Sequence, residues 1–202
     1  MFRPTVFTTI SMTFFALLVL SPPTLTAYPR GWDHTIAKEA RFDVDDRGTL
    51  RIDVPDADVL VTPGEAGEVS VEIEVAGSNL DRALDHYDEM RFSVEGSRSE
   101  VDIRAREPRS RWLWRSASYV VLVRVIVPEN FTVDVETDDG DIQVLSLRGQ
   151  LHLRTSDGDI KLDKVESPRV LLDTSDGDII LGDLHAPDVQ IETSDGSIEA
   201  NG

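Results

Sequence analysis

Apolar and polar residues alternate through most of this chain, the period of a strand with one buried face. The pattern predicts strands at Phe42-Asp43-Val44, Leu50–Val54, Val59–Val61 and Val69–Val75, with Pro63-Gly64 as a turn. It changes at Ser78–Met90, where Leu80, Ala83, Leu84, Tyr87 and Met90 recur at helical spacing. That spacing predicts one amphipathic helix, capped by Ser78 or Asn79 and carrying Asp81 in its first turn. Phe92–Val94 and Val101–Ile103 flank Gly96-Ser97 and read as a hairpin. Tyr119–Val127 is almost wholly apolar, which predicts a strand buried on both faces and ended by Pro128.

From Val133 onward the alternation becomes periodic. Thr137-Asp138-Asp139-Gly140-Asp141-Ile142 recurs as Thr155–Ile160, Thr174–Ile179 and Thr193–Ile198, with glycines at 140, 158, 177 and 196. The spacings of 18, 19 and 19 residues are those of a stacked array. Superposition aligns Val133, Leu151, Val170 and Val189 in one column and Ile142, Ile160, Ile179 and Ile198 in another. Each repeat is a strand, a corner and a second short strand. An Asp-Gly turn between alternating strands also fits an antiparallel hairpin. Like residues recurring at like positions favour a coil of a parallel β-helix. An earlier copy is visible upstream, where Leu50, Ile52, Val54, Val59 and Val61 have the spacing of Val133, Val135, Thr137, Ile142 and Val144. Pro55-Asp56-Ala57-Asp58 then replaces Asp138–Asp141. The expected fold class is all-β: a parallel β-helix or β-solenoid-like array with one short amphipathic helix in the N-terminal half.

Residues 1–27 read as a signal peptide: Arg3, an apolar run from Val6 to Leu20, a Pro22-Pro23 break and a cleavage point after Ala27. An uncleaved anchor is the alternative. Residues 28–202 form a single β-strand-repeat domain, irregular over 40–127 and regular over 128–202. No second apolar stretch approaches spanning length, so the mature chain is expected to cross no membrane. The expected location is exported: periplasm, cell surface or extracellular. The formal net charge of −18, from 38 acidic and 20 basic residues, disfavours nucleic acid and anionic membrane as partners. The absence of cysteine excludes disulfides, thiolate metal sites, cysteine catalysis and lipoprotein-type anchoring. The fourth repeat stops at Gly202, before the position of Leu147, Val165 and Leu184. A stacked array needs a polar cap, so a shortened chain is expected, or an edge that self-associates or is covered by another chain.

Val127-Pro128-Glu129-Asn130-Phe131-Thr132-Val133, followed by Thr137–Ile142, resembles a family of bacterial β-strand-repeat proteins known as putative adhesins, a domain of unknown function. The likeness runs over roughly residues 40–202 and is strongest from Tyr119. It implies a right-handed parallel β-helix-like array, export or cell-surface display, and no established catalytic activity. Asp139, Asp157, Asp176 and Asp195 stand where relatives more often carry serine or a small residue.

Two groups are candidate sites. Stacked at about 4.8 Å, the carboxylates of Asp139, Asp157, Asp176 and Asp195 and those of Asp141, Asp159 and Asp178 repel by about 0.9 kcal/mol per pair in water. Hydration, turn amides or a divalent cation must relieve this; of cations, calcium suits such oxygens. No other cofactor is expected. The second group is Arg109, Arg111, Trp112, Trp114 and Arg115, in the only basic stretch, suited to an anionic glycan or another envelope component. The four histidines show no metal spacing, and no nucleophile-elbow, zincin or phosphate-loop pattern occurs. The functional expectation is therefore an exported, non-enzymatic structural or adhesive module. The alternative is a calcium-dependent or polysaccharide-active β-helix.

Overall fold

The computed structural model describes residues 31–107 and 119–201. One sheet runs in the order β1 (Asp33–Asp43), β4 (Glu68–Gly77), β7 (Tyr119–Pro128), β3 (Asp58–Gly64), β9 (Ile142–Leu147), β11 (Ile160–Glu166), β13 (Ile179–His185), β15 (Ile198–Ala200). The other runs β14 (Val189–Thr193), β12 (Val170–Thr174), β10 (Leu151–Arg154), β8 (Thr132–Thr137), β2 (Thr49–Val54), β6 (Glu100–Arg104), β5 (Ser93–Gly96). One helix, α1 (Leu80–Met90), interrupts the strands.

Each repeat places its first strand in one sheet and its second in the other, and successive repeats pair in parallel. Leu151 lies opposite Val133 and Val170, and Ile160 lies opposite Ile142 and Ile179. The repeat is a coil and not a hairpin. The upstream copy is a coil as well: Leu50 pairs with Val133, Ile52 with Val135, Val59 with Ile142 and Val61 with Val144. The β6–β7 coil stacks on the far side of β2–β3, so the chain passes over that coil to begin β8.

The core lies between the sheets. In the β10–β11 coil Leu151, Leu153, Ile160, Leu162 and Val165 are all buried, each worth about 1.5–3 kcal/mol in apolar transfer. Phe131 is fully buried where β7 hands over to β8. In the β14–β15 coil the same columns are open, with Val189 42% and Ile198 50% exposed.

Away from the regular coils the pairing changes sign. β1 pairs with β4, β4 with β7, and β5 with β6, all antiparallel. The Phe92–Ile103 hairpin is thus present as β5–β6. β7 is covered on both faces only in part: Leu122 is buried, but Ile126 is 40% exposed and Arg124 pairs with Glu74 at 3.3 Å and Glu72 at 3.7 Å on neighbouring β4. α1 packs on β4 and β7 and covers only a portion of that outer face. The expected turn at Pro63-Gly64 is also displaced: both residues belong to β3, and the chain reverses at Gly67, whose φ is +92°. Proline is tolerated there because β9 pairs with β3 only over Val59–Val61.

Candidate functional site

The recurring corner is built from threonine, glycine and aspartate, each with a separate task. Thr155 is buried, and its hydroxyl donates to the Gly140 carbonyl at 3.1 Å while accepting from Gly158 N–H at 3.2 Å. Thr174 does the same between Gly158 and Gly177, and Thr193 between Gly177 and Gly196. The amides of Ser156 and Asp157 both donate to the Asp138 carbonyl, and those of Ser175 and Asp176 to Ser156. The polar backbone of each corner is thereby satisfied by the coil beneath it.

Glycine is required by proximity. A Cβ at Gly158 would lie 2.0 Å from the Gly140 carbonyl oxygen, and one at Gly177 1.8 Å from that of Gly158. The coils touch backbone to backbone at this column, and at its head the Ala57 carbonyl takes the same place against Gly140.

Asp58, Asp141, Asp159 and Asp178 form a ladder. The Asp58 carboxylate accepts Asp141 N–H at 3.0 Å, Asp141 accepts Asp159 N–H at 2.9 Å, and Asp159 accepts Asp178 N–H at 2.8 Å. Asp178 accepts both the amide and the hydroxyl of Ser197, each at 2.8 Å. Turn amides are therefore one source of relief for the inner carboxylates. The two ends of the ladder titrate differently. At exposed Asp178 the two Ser197 bonds hold the carboxyl below its ordinary value. At Asp58 burial outweighs the Asp141 amide, with Asp141 and Asp56 adding repulsion, and the carboxyl is pushed up to about 6. Asp58 lies outside the repeated phrase that marks the candidate aspartates, although aligning Pro55–Asp58 with Asp138–Asp141 sets it in the Asp141 column.

The outer aspartates, Asp139, Asp157, Asp176 and Asp195, form a separate exposed column. Among the described residues, no group of three or more histidine, aspartate or glutamate side chains is arranged to hold a metal ion. Arg109, Arg111, Trp112, Trp114 and Arg115 lie outside the described residues, as does the predicted signal peptide. No described helix is long and apolar enough to cross a membrane.

Helix α1 ties into the first corner. His86 is buried, its Nε2 lies 3.4 Å from Asp56 Oδ2, and its ring packs 4.1 Å from that of Tyr119. The Tyr119 hydroxyl donates to the same Asp56 oxygen at 2.6 Å. Tyr119 opens β7, so this cluster joins helix, first coil and buried strand. His86 falls one turn from Ala83 and from Met90, the signal that places it on the buried face.

These features define a class: a β-solenoid of stacked two-strand coils, with an antiparallel extension and one helix at one end. The family model of toastrack DUF4097 matches residues 48–202, and the chain belongs to that family. A solved structure with this fold is the putative cell adhesion protein from Clostridium sporogenes ATCC 15579, at 10% identity and TM-score 0.53, covering 81% of this chain and 98% of that one. The putative adhesin from Parabacteroides distasonis ATCC 8503 aligns at 12% identity and TM-score 0.42, over 83% of this chain and 73% of that one. No curated protein matches the chain.

Proposed function

We propose that the protein is an exported, non-enzymatic structural or adhesive module of the bacterial cell envelope. The observation that carries this reading is the use made of the repeated corner. Its threonine hydroxyls, glycine backbones and inner aspartates all bond one coil to the next. The motif builds a stiff stack, and a stiff stack displays a surface. The leader predicted at 1–27 and the adhesion-related name of the Clostridium protein agree with such a role.

Fractionation of cells carrying the native gene, followed by attachment assays on a deletion strain, tests the reading. The protein is expected in the envelope or medium, with attachment or envelope integrity reduced on deletion. Cytoplasmic residence, or depolymerisation of an envelope polysaccharide by the purified protein, would overturn it.

A further inference from the structure

One cleft departs from the acidic excess of the chain, setting Arg91, Arg104 and Arg106 against Asp53, Glu89 and Glu107. It measures about 400 Å³ and is lined by Asp53, Arg91, Ser93, Arg104, Ala105 and Arg106. A second hollow of about 250 Å³ continues it, sharing Arg91 and Arg106 and adding Glu89 and Glu107. Three of only 20 basic residues in the chain thus meet at one concavity.

The fold assembles this cluster from distant segments. Arg91 follows α1, and Arg104 ends β6. The strand exit is fixed by Ala105 N–H donating to the Asp53 carbonyl at 2.9 Å, and by Arg106 N–H donating to that of Met90 at 2.7 Å. The second bond satisfies a carbonyl of the last helical turn and carries Arg106 beside Arg91. Arg104 is already held by Asp102 through two bonds of 2.9 and 2.6 Å. Arg91 and Arg106 form no ion pair among the described residues.

Arg91 also sits in an unfavourable backbone conformation. Its φ of 52° makes it the one non-glycine residue with positive φ among those described. Helices commonly end there in glycine, which avoids a cost on the order of 1 kcal/mol. An arginine held at a position better suited to glycine needs a reason in its side chain.

We propose that this cleft binds one anionic sugar residue, a uronate or a sulfated sugar, of an envelope polysaccharide. Arg91 and Arg106 hold the oxyanion, and Asp53 and Ser93 bond the ring hydroxyls. The volume suits a single sugar, and a few polar groups converging on a concavity are what such a site needs. A flat membrane surface does not enter a concavity of this size, whereas one sugar ring does. The choice of polysaccharide as source rests on the envelope role proposed above; the cleft itself does not.

Calorimetric titration of the purified full-length protein tests the site with trigalacturonate, its neutral methyl ester, and a sulfated galactotriose. Binding of either anionic sugar, at least tenfold tighter than the ester, is expected, and the better of the two identifies the oxyanion. Arg106→Gln and Arg91→Gly should each weaken binding about tenfold or more, the loss of a charge-assisted bond. Arg91→Gly should do so while keeping or raising the melting temperature, because glycine relieves the backbone. The proposal is overturned by equal binding of the ester, by variants that bind like the parent, by binding to neither sugar, or by binding only to phosphatidylglycerol vesicles. Any of these leaves the envelope reading standing, since that is judged by fractionation and attachment.

Discussion

A methyl group at Gly158 would have to fit within 2.0 Å of a carbonyl oxygen that belongs to another coil's backbone. Backbone cannot swing aside as a side chain can, so Gly158→Ala should cost about 3 kcal/mol, the upper range for overpacking. Asp157→Ala, on the exposed neighbour, should stay within about 0.5 kcal/mol. Urea unfolding of the two variants separates the cost of crowding the backbone contact from that of altering the exposed corner beside it. Thr155→Val keeps the shape but removes a hydroxyl that serves the Gly140 carbonyl and the Gly158 amide at once. Its cost should be about 1–3 kcal/mol, with Thr155→Ser retaining most of the stability. Asp58 supplies the pH-dependent case. Its folded carboxyl titrates near 6, above its ordinary 3.8, so the ionised form is penalised in the folded state. Its contribution is therefore most favourable below about pH 4 and is lost as pH rises through 6. Asp58→Asn keeps an oxygen to accept Asp141 N–H and removes the charge. It should stabilise the protein by about 1 kcal/mol at pH 7.5, and the gain should vanish by pH 4. A gain that persisted at pH 4 would place the effect elsewhere.

At the scale of elements, legibility follows repetition. The coils could be read from sequence because a period of 18 or 19 residues aligns every inward position, and the register Leu50–Val133 appears in the structure as it does in the alignment. Strand β1 carries no such signal. Its inward residues include Ala37 and Ala40, too small to mark an apolar face, and it is held by antiparallel pairing to β4 with a shift between Ile36 and Lys38. Of its two large apolar side chains only Phe42, at its end, packs on the core, while Ile36 is 49% exposed. The helix was legible from its spacing, and its cap resolves to Asn79, whose side chain accepts Arg82 N–H at 3.1 Å. Asn79→Ala should cost about 1 kcal/mol in thermal unfolding and leave the coils intact by circular dichroism. The candidate sites divide along the same line. The aspartate columns repeat and so could be read in advance. The arginine cleft joins residues after α1 to residues after β6, a meeting set by tertiary packing that no local pattern records.

For the whole molecule, the governing quantity is a charge of −18 spread over a stack of coils. Like carboxylates recur at the strand spacing, and their repulsion acts against the folded state throughout. Two remedies make different demands on solution conditions. General screening depends on ionic strength and is indifferent to the identity of the cation. A bound calcium ion stabilises by mass action, saturates, and is reversed by a chelator. The inner ladder already satisfies its carboxylates with turn amides, while the outer column is exposed to water. Screening should therefore be the larger effect. Added sodium chloride is expected to raise the melting temperature, and calcium chloride at matched ionic strength to raise it by nearly the same amount. A further rise of several degrees at millimolar calcium, abolished by EDTA, would instead require a cation held between successive coils. The exposed aspartates would be the place to seek it, since replacing Asp157 and Asp176 with serine would then remove the calcium-dependent part and spare the sodium-dependent part.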